Sequence, residues 1–170
     1  LRQINEKYEP RVIAPLGVGR LLNDNGINKV FELNWWEDKV MDSDITVHSV
    51  QAQHFSARGL FDRDKTFWNG YVIETPVGDV YFAGDTGYGP FFKEIGERYT
   101  DIKVGLIPIG AYKPRWFMKP MHVNPEEAIQ VHKDVGAEIS FGMHFGTFPL
   151  ADDSMKDPEN DFSAAMQDPE

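Results

Sequence analysis

The stretch Val80-Tyr81-Phe82-Ala83-Gly84-Asp85-Thr86-Gly87-Tyr88-Gly89-Pro90 limits the fold more than any other part of the chain. Apolar residues run straight into Gly-Asp-Thr-Gly, and a helical pattern begins at once. A buried strand that breaks off so sharply presents one carboxylate, Asp85, at its tip. The flanking glycines permit a tight turn where a Cβ would clash. Asp85 is then either a helix cap, a role aspartate fills well, or a member of a site. The company of His54 and His144 weighs toward the second reading.

The rest of the pattern supplies the setting. Apolar runs at 11–15 and 29–33 predict short strands, with a helix over 17–25 between them that Gly26 stops. Strand, helix and strand in succession indicate α/β layering. From Asp44 the pattern changes to period two. Ile45, Val47, Ser49, Gln51 and Gln53 share one face, and Thr46, His48, Val50, Ala52 and His54 the other. This predicts a strand that ends at His54, before a loop over 55–65. His48 would lie about 20 Å back along such a strand and reads as structural or solvent-facing. Trp35 and Trp36 read as core or strand-edge residues.

Residues 67–74 and 80–83 read as a hairpin turned by Pro76 and Gly78. A helix over 90–99 follows, with Phe91, Phe92, Ile95 and Tyr99 as its apolar stripe. The uninterrupted apolar run 104–109 predicts a strand covered on both faces. The segment 110–122 is too long and too proline-rich for a simple connection, and such loops are usually functional or mobile. Asn124, Pro125 and Glu127 open the next helix as a capping box with proline in first position. On the last strand Ile139, Phe141 and Met143 alternate with Ser140, Gly142 and His144, which puts His144 at a third strand tip.

Composition narrows the chemistry. The absence of cysteine removes disulfides and thiolate sites, so any metal must sit on nitrogen and oxygen. A net charge of −10 argues against nucleic acid as a partner. No window approaches the ~18 apolar residues of a membrane span, and no leader pattern is present. The expected location is therefore the cytoplasm or the membrane periphery. The 170 residues, 41% of them hydrophobic, suit one domain, with a main body over 1–150 and an acidic tail over 151–170 that holds the start of a helix. Because the chain begins at Leu1 rather than Met, both ends are expected to lie inside a longer protein.

His54, Asp85 and His144 are separated by 31 and 59 residues. In a layered α/β fold one edge of the sheet gathers strand tips, so such residues can converge. Two imidazoles and a carboxylate suit zinc, manganese or iron, and spacing alone leaves open that they are buried or capping residues. Other chemistries fit less well. Gly84-Asp85-Thr86-Gly87 is neither a P-loop nor G-x-G-x-x-G, and no G-x-S-x-G turn occurs. The tripeptide Asp85-Thr86-Gly87 occurs once, whereas an aspartic protease needs two aspartates sharing a proton.

Longer motifs carry a resemblance. Phe82 to Tyr88, then Ile107-Pro108-Ile109-Gly110-Ala111-Tyr112 with Pro114-Arg115-Trp116-Phe117-Met118, then His122-Val123-Asn124-Pro125-Glu126-Glu127-Ala128, then Met143-His144-Phe145-Gly146-Thr147-Phe148 occur in order. Together they resemble the metallo-β-lactamase superfamily, in its branch of N-acyl-phosphatidylethanolamine-hydrolysing phospholipases D, over roughly residues 10–152.

The resemblance implies an α/β fold, the αββα sandwich, with two zinc ions at its edge in the complete enzyme. His54 would bind the first metal, Asp85 would bridge both, and His144 would bind the second. His122 would meet the substrate phosphate, sharing the catalytic role with Asp85. The family's H-x-H-x-D-H motif does not occur in the chain; in relatives it precedes the segment aligned with Leu1. Residues 1–150 would then be a partial domain lacking its N-terminal strands, weakly metallated or inactive by itself. Its partner would be that segment or, through exposed sheet, a second copy.

The implied substrate is an N-acyl-phosphatidylethanolamine-type phospholipid or another phosphodiester. The same ligands serve hydrolases of lactones, esters and nucleotide phosphodiesters. Tyr112, Arg115 and Trp116 would bind substrate. Cations beside Trp116, Phe117 and Met118 suit a peripheral contact with a phospholipid membrane; the alternative is a loop folded onto the body with Trp116 in a core. The membrane reading requires an exposed Trp116 near the site.

Overall fold

A computed structural model describes residues 1–167; the last part of the expected acidic tail, 168–170, lies outside the described residues. The chain begins with α1 (Arg2–Tyr8), which buries no side chain. β1 (Val12–Pro15) and β2 (Val30–Leu33) then pair in parallel. Parallel neighbours need a crossover, and α2 (Gly19–Asn23) provides it.

The larger sheet has six strands in sequential order, β3 (Asp38–Asp42), β4 (Ile45–Val50), β5 (Gly70–Glu74), β6 (Asp79–Phe82), β7 (Ile102–Pro108) and β8 (Ile139–Met143). Pairing is antiparallel from β3 to β6 and parallel from β6 to β8. β3 escapes a hydrophobicity reading for a physical reason. It is an edge strand whose Asp38, Lys39 and Asp42 leave no apolar face, as suits an edge exposed to water. β4 also departs from expectation. It ends at Val50 rather than His54, because its partner β5 begins opposite Val50 and the ladder has nothing to continue on. His54 therefore stands in the irregular segment between β4 and β5.

α3 (Phe91–Arg98) and α5 (Pro125–Val135) make the two parallel crossovers, and they pack against each other and the sheet. The core lies between: Val72 and Tyr81 from the sheet, Phe92 and Ile95 from α3, Val131 and Val135 from α5. Full burial of a side chain such as Phe92 contributes about 1.5–3 kcal/mol. The capping box forms as expected. The Asn124 side chain accepts from the Glu127 N–H at 2.9 Å, and the Glu127 carboxylate accepts from the Asn124 N–H at 3.2 Å.

The opposite face of the sheet corrects the expectation for 104–109. Register aligns Tyr71, Phe82, Leu106 and Phe141 across that face. Phe82 is 37% exposed and Phe141 57%, so the β7 run is well covered on its helix side only. One further helix appears where irregular structure was expected, and the helix expected to start in the tail is longer than its pattern indicated. A single turn, α4 (Arg115–Met118), lies within the 110–122 segment. The acidic tail becomes α6 (Asp157–Gln167), which lays Phe162 against the core. No helix among the described residues is long and apolar enough to cross a membrane.

Candidate active site

Three segments distant in sequence are stitched together beyond the end of β6. Gly84 turns the chain with φ +67°, a left-handed conformation that glycine adopts without a Cβ penalty. The fully buried Thr86 is the hub. Its Oγ1 accepts from the Gln53 N–H at 2.9 Å and donates to the Gly87 carbonyl at 2.8 Å. Its own carbonyl accepts from the Val123 N–H at 2.8 Å, and the Gly87 N–H returns to the Gln53 carbonyl at 2.8 Å. The Gln53 side chain then reaches the Pro120 carbonyl at 2.9 Å. Each residue so tied neighbours one of interest: Gln53 precedes His54, Thr86 follows Asp85, Val123 follows His122.

The result is one cleft of about 720 Å³ whose walls include His54, Asp85, His122 and His144. His54 Nε2 lies 3.4 Å from His122 Nε2. The His122 and His144 rings stack with centroids 5.4 Å apart, and His144 Nδ1 is 3.6 Å from Asp85 Oδ1. The His54 tautomer follows from its other nitrogen. Nδ1 stands 2.9 Å from the Phe55 carbonyl, to which it donates, so in the neutral ring the lone pair is on Nε2, which faces His122 Nε2.

Burial, and then the neighbouring His54, push the His122 imidazole down to about 4 against the pull of Asp85, so the ring is neutral at pH 7. His122 Nδ1 and His144 Nε2 are buried without a hydrogen-bond partner. Orphaned imidazole nitrogens beside a carboxylate are what a divalent transition metal takes as ligands. The donor types therefore fit a metal. As the side chains stand, among the described residues no three or more His, Cys, Asp or Glu surround one point closely enough to hold an ion.

Tyr112 and Arg115 are corrected. Tyr112 is buried, its hydroxyl donates to Asp161, and it lines the groove between α5 and α6 rather than this cleft. Arg115 donates to the His122 carbonyl at 2.8 Å and to Glu127 Oε2 at 2.7 Å, so its guanidinium braces the backbone behind His122 instead of facing substrate. Trp116 is 84% exposed on α4. Its neighbours Phe117 and Met118, not Trp116 itself, line the cleft, together with Leu150. His48 is structural as read: it pairs with Glu74 at 3.0 Å and its ring packs on Tyr99. The reading of the sequence missed Arg63, which reaches the same cleft with its guanidinium over the Phe55 ring at 4.7 Å. Only the abundance of Arg, Asp and Gly in the 55–65 loop hinted at it. It also missed Thr86, which in sequence is merely the residue after Asp85.

Comparison with known proteins agrees with this architecture. The family described as the beta-lactamase superfamily domain matches residues 1–145. The chain is 43% identical over 146 residues to N-acyl-phosphatidylethanolamine-hydrolyzing phospholipase D 1 of Caenorhabditis elegans, an alignment covering 81% of this chain and 41% of that protein. It is 35% identical over 159 residues to the mitochondrial N-acyl-phosphatidylethanolamine-hydrolyzing phospholipase D of Saccharomyces cerevisiae, covering 90% of this chain and 34% of that one. The chain thus spans well under half the length of either relative. Among solved structures, Igni18, a metallo hydrolase of Ignicoccus hospitalis, superposes with a TM-score of 0.72 at 22% identity, over 96% of this chain and 65% of that one. That likeness shows a shared fold.

Proposed function

The chain belongs to the beta-lactamase superfamily, in the branch of the N-acyl-phosphatidylethanolamine-hydrolysing phospholipases D, and on that premise we propose that it forms part of a zinc-dependent hydrolase acting on phosphodiester bonds of such phospholipids. The observation that carries the reading is the meeting of His54, Asp85, His122 and His144 in one cleft with an apolar lip. His54, Asp85 and His144 would hold metal. When bound there, zinc supplies a hydroxide source at neutral pH, since coordination lowers the pKa of water toward about 7.

The chain's own residues do the rest. His122, neutral at pH 7, suits hydrogen-bond donation to a phosphoryl oxygen better than acid catalysis, because so depressed an imidazole carries almost no proton to give. Arg63, which lines the cleft and pairs only loosely with Asp64 at 3.6 Å on the exposed loop, would offer a cation to the phosphodiester, whereas Arg115 is held by Glu127 at 2.7 Å. Phe117, Met118 and Leu150 offer an apolar surface to acyl chains, and the exposed Trp116 beside them supports a peripheral contact with a lipid surface.

The test is turnover by the zinc-loaded protein of N-acyl-phosphatidylethanolamine in mixed micelles, alongside a lactone and a cyclic nucleotide. Phospholipid cleavage that falls at least ~100-fold in Asp85→Asn is the expected result, on the scale of lost metal-centred electrostatics. Turnover of the lactone or the nucleotide with none of the phospholipid would overturn the substrate assignment.

A further inference from the structure

One carboxylate outside the four cleft residues controls the backbone behind them. Asp153 Oδ2 accepts the Ala111 N–H at 3.0 Å, and its Oδ1 accepts the Lys113 N–H at 3.3 Å. Beside it, the Asp152 N–H donates to the Lys113 carbonyl at 3.1 Å. A single side chain thus accepts from two backbone N–H groups of the turn at 110–113. That turn is strained. Ala111 sits at φ +60°, a left-handed conformation that costs an L-residue about 1–2 kcal/mol. Such outliers persist only where their surroundings hold them.

The turn bears directly on the site. At Gly110 a Cβ would stand 2.2 Å from the His144 carbonyl oxygen, so the two backbones approach there more closely than any residue with a side chain would allow. His144 is itself left-handed, at φ +61°. Ala111 lines the same cleft as the His144 ring. We propose that Asp153 is a positioning residue: it pins the 110–113 turn against the His144 backbone and thereby sets where the His144 imidazole stands relative to Asp85. Its consequence for hydrolysis rests on the function proposed above; the positioning itself does not.

A purely structural role would look different, and the neighbouring acid provides the contrast. Asp161 also ties the C-terminal segment to this turn, but through side chains only, accepting from the Tyr112 hydroxyl and pairing with Lys113 Nζ at 3.2 Å. Asp161 anchors α6 without touching the turn's backbone.

The experiment compares Asp153→Ala, Asp153→Asn and Asp161→Asn with the parent by long-range nitrogen–proton NMR of the histidine rings in the presence of a chelator, and by Co²⁺ titration afterwards. Asp153→Ala is expected to move the His144 ring resonances and to weaken Co²⁺ binding about tenfold, as loss of an outer support typically does. Asp153→Asn keeps one acceptor and is expected to fall between; it carries the test if the alanine variant does not fold. Asp161→Asn is expected to lower Tm with the His144 resonances in place. Equal losses of Tm in the Asp153 and Asp161 variants, with His144 resonances and Co²⁺ affinity unmoved, would overturn the proposal. The ring signals need neither metal nor substrate, so a parent protein inactive on phospholipid would count against the hydrolase reading alone.

Discussion

His122 is the residue on which burial acts most directly. It is enclosed beside two other imidazoles, and its Nδ1 has no partner. Folding therefore disfavours its protonation, lowering it from 6.5 to about 4. A depressed histidine makes the unfolded state the better proton binder between those values, so stability rises with pH across that window and is lost as pH falls through it. For the chelated protein, the unfolding free energy is expected to fall by a few kcal/mol, on the order of magnitude set by the shift, between pH 6.5 and 4. Other carboxylates titrate there too, so the diagnostic quantity is the difference from His122→Gln, which should show a shallower slope in urea melts. Parallel slopes for the two proteins would contradict a neutral, buried His122. The same burial explains why no local pattern marks this histidine: in sequence it is a polar residue closing a loop, and only the motif around Asn124 and Pro125 singled it out.

α4 is the element that turns an irregular segment into a feature. It is one helical turn, yet it sorts its residues: Arg115 faces inward to Glu127, Phe117 and Met118 face the cleft, and Trp116 faces solvent. An exposed tryptophan beside Phe117, itself 56% exposed, is the surface that the proposed lipid contact would use. Trp116→Ala with Phe117→Ala is therefore expected to reduce co-sedimentation with phosphatidylserine-containing vesicles at least ~10-fold, since each aromatic contributes on the order of 1 kcal/mol or more of apolar burial, while far-UV circular dichroism stays unchanged. Equal sedimentation of the double variant and the parent would remove the lipid surface from the account. The composition of this segment was readable from sequence, but its division of labour was not. Arg115 looked like a substrate cation until the capping Glu127 claimed it.

At the scale of the whole molecule, helices cover one face of the six-stranded sheet while Phe82 and Phe141 remain open on the other. An apolar face of this kind suits association, with a second copy or with the further strands that the resemblance places before this segment. Sedimentation velocity is expected to show self-association that Phe82→Lys with Phe141→Lys suppresses; a parent protein that stays monomeric at the highest soluble concentration would contradict it. The open face also shows how far the sequence could be read. Periodicity determined most of the elements, because the alternation of strands and the stripe of α3 depend only on neighbours in the chain. The motifs marked Asp85, His122 and His144, the period-two pattern after Asp44 marked His54, and glycine chemistry marked the sharp stop after β6. Tertiary structure alone decided where β4 ends, that β3 exists, which face of β7 stays open, and that the four marked residues share one cleft. Those outcomes rest on bonds between distant segments, such as Thr86 Oγ1 with the Gln53 N–H, 33 residues apart. No local preference encodes such a bond, because its energy is available only once both segments are already in place.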